Sequence, residues 1–449
     1  MRIAIIFPVS DKPATRAYAV WLRSVHRLYN ELMNRDGVEI TPIPIHDAGP
    51  YASFKLGVVG VEPSQKLAHV FEHANQFDLI HDMIGFASLT YASLVSTPVL
   101  STVWHESWDA APHLFEHHNN RVYYLAPSDQ DRKTGISYTE TVDWGVEIPS
   151  TSSSCASPCV PDNHIVYLGP LHPNPGLQTA LEFADKTNRP ICLFGSPADQ
   201  PLFEQQLSSR DGSPVRHYAD PASDEADVMI AKAAAVVHAG CSLGMQRLCL
   251  MEASGRGVPI IAIGDSQIDY VKDGIIGFHF RSVDSAVAAL DKILAINRTE
   301  CRNSAIENFG IINRIPMLLD VYKRTIDHAK REDHRPWGYY NVLSDERTHK
   351  VKRLVVYPGK RLSLQRHRRR SEHWFVVEGE AMAVQDEDEV RLFPGQSIEI
   401  PIGCWHRLRN PGGENLTIIE VQTGEYFGED DIERMEDDYG RVPDGSCIR

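Results

Sequence analysis

The sequence lacks the marks of membrane-spanning and of nucleic-acid-binding proteins. No run of about 18 apolar residues occurs in the chain, so no membrane span is predicted. Basic residues are in deficit, with 45 Lys and Arg against 60 Asp and Glu and a formal net charge of −15. A general nucleic-acid binder needs a positive field to neutralise phosphates, so this class of function is excluded.

Cysteine is sparse and scattered. The eight residues stand at positions 155, 159, 192, 241, 249, 301, 404 and 447. Only Cys155 and Cys159 lie close together, and a plain flexible loop is favoured over a zinc site there because no second pair is nearby. Residues 1–8 are too short for the apolar part of a signal peptide and are predicted to form a buried strand. Scattered cysteines, together with the lack of a predicted signal peptide, predict a cytoplasmic protein.

The length of 449 residues exceeds what one hydrophobic core usually serves, so two or three domains are expected. Short apolar runs alternate with amphipathic segments, such as the predicted helix 17–33 and the extended run 38–43. The same pattern restarts after a Ser- and Pro-rich stretch at 148–161. We therefore predict an α/β region of two Rossmann-like halves, residues 1–150 and 162–326, with a ligand cleft between them.

The pattern of predicted secondary structure changes in the last part of the chain. A closing helix over 315–328 and a polar linker near 330–334 are predicted to precede a third domain, residues 335–449. Short strands punctuated by glycine turns predict an all-β jelly-roll barrel there. The acidic tail, residues 429–438, is expected to be a helix cap and a surface feature.

Four ligand-type side chains stand at fixed offsets within these strands. Gln365 and His367 are two residues apart and therefore face the same side of a strand. Glu372 follows after a turn, and His406 comes from a separate strand. Two imidazoles, a carboxylate and an amide oxygen suit a divalent metal ion. The donor set does not distinguish among Zn, Mn, Fe, Co and Ni. The alternative is a set of polar core residues that satisfy one another.

The region up to residue 326 resembles retaining glycosyltransferases of the GT-B fold, group 4 type. The matching phrases are Thr102-Val-Trp-His105, Asp143-Trp-Gly-Val-Glu147, Gly169-Pro-Leu-His-Pro-Asn-Pro-Gly176 and Glu252-Ala-Ser-Gly-Arg-Gly-Val-Pro-Ile-Ile261. The resemblance implies a sugar-nucleotide donor, with His105 and Glu252 as substrate-binding residues.

This chain departs from the glycosyltransferase pattern at residues that bind the charged diphosphate of the donor and at two neighbouring features of the pattern. The two cations that hold the donor's diphosphate in that family are replaced by Pro170 and Pro175. An upstream Glu is replaced by Gly244, and the Gly-Gly loop after the first strand is replaced by residues 13–16. The comparison therefore implies a degenerate or repurposed glycosyltransferase, since a departing diphosphate needs such cations.

Residues from 335 onwards resemble the type II mannose-6-phosphate isomerase domain, a cupin. The matching phrases are Arg335-Pro-Trp-Gly-Tyr339, Pro358-Gly-Lys-Arg-Leu-Ser-Leu-Gln-Arg-His367, Arg370-Ser-Glu-His-Trp-Phe-Val-Val-Glu-Gly379, Ile400-Pro-Ile-Gly403 and Tyr439-Gly-Arg441. In the family this domain usually follows a mannose-1-phosphate guanylyltransferase, whose Gly-rich N-terminal loop is absent here.

The cupin resemblance implies conversion of mannose 6-phosphate to fructose 6-phosphate. Gln365, His367, Glu372 and His406 would hold the metal. Arg370 falls on the family's functional arginine and, with the neighbouring Arg369, is a candidate for contact with the substrate's phosphate. Lys352 and Glu420 are candidates for proton transfer.

Two functions remain open at this stage. The first is a mannose-6-phosphate isomerase with a degenerate glycosyltransferase region, and it is the enzyme class that the sequence favours. The alternative is a glycosyltransferase that uses a sugar nucleotide, with the cupin as a sugar-binding or regulatory module. The partners implied are a sugar phosphate and, as a second candidate, a sugar nucleotide, with a homodimer through the cupin as a candidate assembly.

Overall fold

A computed structural model describes residues 1–9, 15–46, 61–119, 121–148, 160–171, 174–195, 197, 200–208, 212–239, 245–264, 268, 271–436 and 438. The chain divides into two compact units, Met1–Thr325 and Ile326–Arg449. We call the first unit the body and the second the barrel. The Cys155 and Cys159 pair, Gly244 and the phrase ending at Arg441 lie outside the described residues.

The first half of the body is a parallel sheet flanked by helices. Its strands are β1 (Arg2–Val9), β2 (Glu39–His46), β3 (Leu79–Asp82), β4 (Val99–Thr102), β5 (Tyr123–Ala126) and β6 (Tyr138–Thr141). Its helices are α1 (Arg16–Met33), α2 (Val61–Glu72), α3 (Phe86–Ala92), α4 (His105–Ala110) and α5 (Pro112–His117). All strand pairs run parallel, in the order β2-β1-β3-β4-β5-β6.

The second half of the body repeats this architecture. Its strands are β7 (Ile165–Tyr167), β8 (Ile191–Phe194), β9 (Val215–Tyr218), β10 (Ala235–Ala239), β11 (Ile260–Ile263) and β12 (Gly277–Phe280). Its helices are α6 (Pro175–Thr187), α7 (Gln200–Ser208), α8 (Asp224–Lys232), α9 (Gln246–Gly255), α10 (Val283–Ala288), α11 (Leu290–Leu294), α12 (Arg298–Phe309) and α13 (Ile315–Arg331). The strands are again parallel, in the order β12-β11-β10-β7-β8-β9.

The predicted α/β region is confirmed. The strands β1, β3, β4 and β11 are buried along all or nearly all of their length, as a parallel sheet covered by helices on both faces requires. Helix α1 begins where the Thr15 side chain accepts a hydrogen bond from the Tyr18 backbone N–H, and its apolar face is buried. Helix α13 returns to the first half, where the Tyr322 hydroxyl lies 2.7 Å from Nδ1 of the buried His81.

The barrel consists of two antiparallel sheets. Its strands are β13 (Glu332–Arg335), β14 (Gly338–Asp345), β15 (His349–Val356), β16 (Leu364–His367), β17 (Arg370–Glu378), β18 (Ala381–Gln385), β19 (Asp388–Leu392), β20 (Ser397–Ile400), β21 (His406–Arg409), β22 (Leu416–Gly424) and β23 (Ile432–Glu436). One sheet has the order β13-β14-β15-β22-β17-β20 and the other β19-β18-β21-β16-β23. The predicted jelly-roll type is confirmed, with an apolar core that includes Leu354, Trp374 and Ile418.

Two local predictions for the barrel are wrong. No linker occupies 330–334, because α13 runs into β13 without a break. The acidic tail is not a helix cap: a 3₁₀ turn (Glu429–Asp431) leads into β23, which pairs with β16. The reason is charge matching across strands, since Glu433 pairs with Arg366 and Arg368.

Within the described part of the chain, no helix combines the length and the apolar composition needed to cross a bilayer. Four cysteines fall within it, Cys192, Cys249, Cys301 and Cys404, and all four are buried and free. Burial raises the pKa of the Cys192 thiol to about 11, which makes it an unreactive packing residue.

Candidate functional site

A cluster of two histidines and one glutamate lies inside the barrel. The ligand-type atoms of His367, Glu372 and His406 all lie within 4.8 Å of one another, and the three side chains are buried. Glu372 Oε1 is 3.0 Å from His367 Nε2, and Glu372 Oε2 is 3.6 Å from His406 Nε2. Three of the four predicted metal ligands are thus brought together.

Strand pairing explains why the cluster forms. Residue Gln365 lies directly opposite His406 in the pairing of β16 with β21, so the fourth predicted ligand is beside the cluster. The Gln365 side-chain oxygen accepts a hydrogen bond of 2.9 Å from the Ser363 hydroxyl. Glu372 is supplied by β17 of the other sheet. The cluster therefore lies between the two sheets, where alternate residues of each strand point inward.

The imidazole nitrogens have the arrangement that a metal ligand needs. Nδ1 of His406 donates to the Cys404 carbonyl at 3.0 Å, which leaves the lone pair on Nε2. That buried Nε2 atom has no hydrogen-bond partner. On His367, Nε2 lies 3.0 Å from Glu372 Oε1 and 3.4 Å from the Arg370 guanidinium, so a bound metal would take the place of the proton that it shares with the carboxylate. Both nitrogens face the Glu372 carboxylate, and the set fits a divalent metal ion.

The carboxylate at the centre of the cluster is ionised. Burial opposes ionisation of Glu372, but the hydrogen bond with His367 and the charge of Arg370 outweigh it and hold its pKa well below the usual range. The Gln422 amide donates to Glu372 Oε1 at 3.0 Å, and the Trp374 indole donates to Oε2 at 3.1 Å. These contacts fix the orientation of both carboxylate oxygens.

A cavity beside the cluster contains Lys352 and Glu420, the predicted proton-transfer residues. They lie opposite each other in the pairing of β15 with β22, and both are buried. Burial is the main cause that raises the pKa of Glu420 to about 8, and the nearby charge of Glu372 adds to it. The Lys352 ammonium is 4.6 Å from the centre of the Tyr340 ring.

The two adjacent arginines are placed differently. Arg370 is buried, lines the cavity, and donates to Glu372 at 3.4 Å and to the Gly428 carbonyl at 3.0 Å. Arg369 is exposed, and its guanidinium lies 5.2 Å from the centre of the Tyr426 ring. The structure therefore brings only Arg370 to the cluster, because Arg370 is the first residue of β17 whereas Arg369 lies in the bend before that strand.

Several cavity residues were not identified from the sequence. Gln422 and Trp374 hold the Glu372 carboxylate, while Arg434 and Glu429 line the cavity. The period of two along β22 and β17 could have indicated the first pair, since Gln422 is two residues from Glu420 and Trp374 two from Glu372. The second pair was not assigned to the cavity because the acidic tail was expected to be a helix cap and a surface feature.

In the body, Glu252 is an ion-pair centre. It receives hydrogen bonds of 3.0 and 2.6 Å from Arg16, of 2.6 Å from Arg23 and of 3.0 Å from Arg256. Burial opposes ionisation of Glu252, but these three guanidinium charges outweigh it and hold its pKa far below the usual range. Arg16 and Arg256 also pair with Asp227. The carboxylate predicted to contact a substrate is therefore already saturated by cations.

The other predicted substrate residue of the body, His105, stands at the first position of α4, just after the carboxyl end of β4. Its Nδ1 accepts a hydrogen bond of 2.6 Å from the Lys133 ammonium, and its Nε2 is 3.3 Å from Asp109. The carboxyl ends of strands in open α/β sheets are where ligands usually bind. His105 and Lys133 together place a cation at this edge.

Comparison with known families covers the barrel. Residues 322–437 match the family model described as Mannose-6-phosphate isomerase C-terminal. The barrel is a cupin domain of this family. The cupin resemblance seen in the sequence is thereby confirmed, and the histidine and glutamate cluster lies within the matched residues.

Curated relatives match part of this chain. Alginate biosynthesis protein AlgA of Pseudomonas syringae pv. tomato is 38% identical over 195 residues, which is 43% of this chain and 35% of that protein. Xanthan biosynthesis protein XanB of Xanthomonas campestris pv. campestris is 50% identical over 112 residues, 25% of this chain and 24% of that protein. A mannose-1-phosphate guanylyltransferase of Escherichia coli (strain K12) is 47% identical over 112 residues, 25% of this chain and 23% of that protein. The chain spans about a third or less of the length of these relatives.

The body resembles a solved glycosyltransferase in fold. AviGT4, described as a glycosyltransferase involved in avilamycin A biosynthesis, superposes with a TM-score of 0.51 and 15% identity, over 73% of this chain and 98% of that one. At this identity the likeness concerns the fold alone. The predicted GT-B region fused to a cupin is confirmed.

The enzyme class predicted from the sequence, mannose-6-phosphate isomerase, is wrong. The relatives carry the names of alginate and xanthan biosynthesis proteins and of mannose-1-phosphate guanylyltransferases, and none of these names describes an isomerase alone. The error has a physical basis, because a metal cluster with nearby cations indicates the kind of ligand but does not define the reaction.

Proposed function

We propose that this protein acts in sugar-nucleotide metabolism for polysaccharide biosynthesis. In this proposal the body binds a sugar nucleotide and transfers its sugar, and the cupin domain is a metal-containing module that binds a phosphorylated sugar. The observation that carries the proposal is one cavity that joins the Glu372 cluster to the cations Lys352, Arg370 and Arg434. The polysaccharide pathway is supported by the names of the alginate and xanthan relatives.

The metal would be held by His367, Glu372 and His406, with Gln365 as the fourth ligand. The unpartnered Nε2 of His406 and the ionised carboxylate of Glu372 support this assignment. A divalent ion bound there would act as a Lewis acid toward the oxygens of a bound sugar. Zn, Mn, Fe, Co and Ni all suit this donor set.

The cavity wall supplies the charge that a phosphate needs. Lys352 and Arg434 are close enough to Glu429 to share its carboxylate, at 3.7 and 3.8 Å, so both cations face one position at the cavity. Arg370 has a positioning role, because its hydrogen bonds to Glu372 and Gly428 already direct its guanidinium. Glu420 lies opposite Lys352 in the sheet and is proposed to contact the sugar.

In the body, we place the phosphates of the sugar nucleotide at His105 and Lys133. This pair provides positive charge near the carboxyl edge of the first sheet, and it would replace the two cations missing from the glycosyltransferase pattern. We do not assign Glu252 to contact with the sugar nucleotide, because its carboxylate already pairs with three guanidinium groups.

Isothermal titration calorimetry tests both halves of the proposal. The metal-loaded protein is expected to bind mannose 6-phosphate more tightly than mannose, and chelation should remove the sugar-phosphate binding while GDP-mannose binding persists. The two ligands should bind to the same protein without competing, since their sites belong to different units. Formation of fructose 6-phosphate would contradict a binding role for the cupin, and failure to bind any GDP- or UDP-sugar would contradict the role given to the body.

Replacing Lys133 by alanine should weaken the binding of the sugar nucleotide by about tenfold, because one charge-assisted hydrogen bond to a phosphate is worth about 1.5 kcal/mol. The measurement is the dissociation constant from calorimetry. Lys292→Ala, on the exposed surface of α11, is the matched control and should leave the constant unchanged. Equal effects of the two substitutions would assign the loss to overall charge and reject the proposed phosphate position.

A further inference from the structure

One carboxylate at the cavity stands between two cations. Glu429 Oε1 is 3.7 Å from the Lys352 ammonium, and Glu429 Oε2 is 3.8 Å from the Arg434 guanidinium. Each oxygen is thus directed to a different cation. Both distances exceed the 2.7–2.9 Å or so of a close charge-assisted hydrogen bond, so the carboxylate is held loosely.

The three side chains differ in their access to solvent. The side chain of Lys352 is 9% exposed and that of Arg434 is 20% exposed, whereas that of Glu429 is 55% exposed. The cations therefore belong to the cavity wall, and the carboxylate approaches them from the solvent side. A ligand that enters from solvent meets Glu429 before it reaches the cations.

The backbone that carries Glu429 is fixed at both sides. The Gly428 carbonyl accepts a hydrogen bond of 3.0 Å from Arg370, and the Asp431 carboxylate accepts one of 3.1 Å from the Arg369 backbone N–H. Because these contacts hold the chain, a change of rotamer of the Glu429 side chain is sufficient to uncover the cations. No movement of residues 425–431, which form the strap between β22 and β23, is required.

We propose that Glu429 is an internal substitute for the ligand's anionic group and determines which ligands the cavity accepts. This inference rests on the proposed binding of a phosphorylated sugar. A phosphate has more oxygens and more negative charge than the carboxylate, so it can approach both cations closely and displace Glu429. A neutral sugar cannot displace the carboxylate, and it leaves Lys352 and Arg434 paired with Glu429. The residue thus lowers the affinity of every anion that must replace it, and only a ligand whose anionic group can bind both cations displaces it.

Other charges at the cavity do not take this role. Arg335 lines the cavity but pairs with Asp333 at 2.6 Å, and Asp333 also accepts a hydrogen bond of 2.6 Å from the Tyr340 hydroxyl. Glu420, opposite Lys352 in the sheet, is buried and held by Trp374 and Gln422. Of the carboxylates that line the cavity, Glu429 is the exposed one.

The test is the affinity of metal-loaded Glu429→Gln for mannose 6-phosphate and, separately, for inorganic phosphate. We expect both ligands to bind roughly three- to tenfold more tightly than to the unaltered protein, because two weak ion pairs no longer compete. Glu429→Asp keeps the charge but shortens the side chain, so its affinity should be intermediate. Glu425→Gln is the matched control, since it makes the same charge change on the same exposed strap and should bind as the unaltered protein does.

The outcomes separate this inference from the proposed function. If the unaltered protein binds mannose 6-phosphate and Glu429→Gln binds it no more tightly, the role of Glu429 is rejected and the proposed function stands. If mannose 6-phosphate does not bind but inorganic phosphate binds more tightly to Glu429→Gln, the sugar-phosphate proposal fails and the internal anion stands. Equal gains for Glu429→Gln and Glu425→Gln reject a specific role for Glu429. Absence of phosphate binding by every variant rejects both ideas.

Discussion

Replacing His367 by alanine is expected to lower the affinity of the cupin domain for divalent metal by at least about 100-fold, equivalent to about 2.8 kcal/mol. His367 Nε2 faces the Glu372 carboxylate at 3.0 Å, so the loss of this imidazole leaves one imidazole and one carboxylate of the cluster. The expected cost exceeds that of replacing a residue that only hydrogen-bonds to a ligand, because here the ligand itself is removed. Metal content by mass spectrometry and competition with a chelator measure the effect.

The structure offers a matched control for this substitution on the next strand. His373 lies on the outer face of β17, is partly exposed, and pairs with Glu399 at 2.6 Å. His373→Ala should keep full metal content and the affinity of the unaltered protein. Circular dichroism of both variants monitors the fold. If His367→Ala retained one equivalent of metal with unchanged affinity, the cluster would be a set of satisfied core residues.

Replacing Glu252 by glutamine should lower the free energy of unfolding of the body by about 3–5 kcal/mol. The amide keeps the shape of the side chain but removes the charge that compensates Arg16, Arg23 and Arg256. Arg16 and Arg256 are almost fully buried and would repel each other, with Asp227 as their remaining carboxylate. Urea unfolding measures the loss, and hydrogen exchange of peptides from α1 and α9 assigns it to the body.

The dependence on pH identifies the charge as the cause. The pKa of Glu252 is depressed in the folded protein, so its stabilisation is complete above the ordinary pKa of 4.5 and is lost as the pH falls below it. The difference between the two proteins should be constant from about pH 8 to pH 5 and should narrow in more acidic solution. Glu307→Gln, on the exposed face of α12, is the control and should change stability by less than about 0.5 kcal/mol. A loss for Glu252→Gln no larger than this control would contradict an ion-pair centre.

The ion pairs of Glu252 also distinguish the body from the glycosyltransferase pattern. In the glycosyltransferase pattern, the position of Glu252 is a substrate contact, whereas here its partner Arg16 comes from a segment that differs from the family's Gly-Gly loop. Arg16 thus pairs with the carboxylate that the resemblance assigns to contact with the sugar-nucleotide donor. A stable protein with unchanged sugar-nucleotide affinity after Glu252→Gln would support the assignment of the donor to His105 and Lys133 instead.

Much of the metal cluster could be predicted from the sequence. Spacing alone placed Gln365 and His367 on one face of a strand, and the two-part motif added Glu372 and His406. The metal-ligand roles stay predictions, but the period of two along a strand sets the face that each side chain takes, and the structure groups His367, Glu372 and His406. The rule does not reach Arg369, which lies exposed in the bend before β17, whereas Arg370 begins that strand and is buried beside the cluster.

The sequence by itself determined the order of the elements, the two kinds of sheet and the identity of the metal-ligand candidates. Only the tertiary structure decided which charges meet: Arg16 with Glu252 across 236 positions, and Lys352 and Arg434 with Glu429. It also decided that the acidic tail is a strand paired with β16. The physical reason is that local periodicity specifies which face a side chain takes, whereas the partner of a buried charge is set by the packing of segments far apart in the chain.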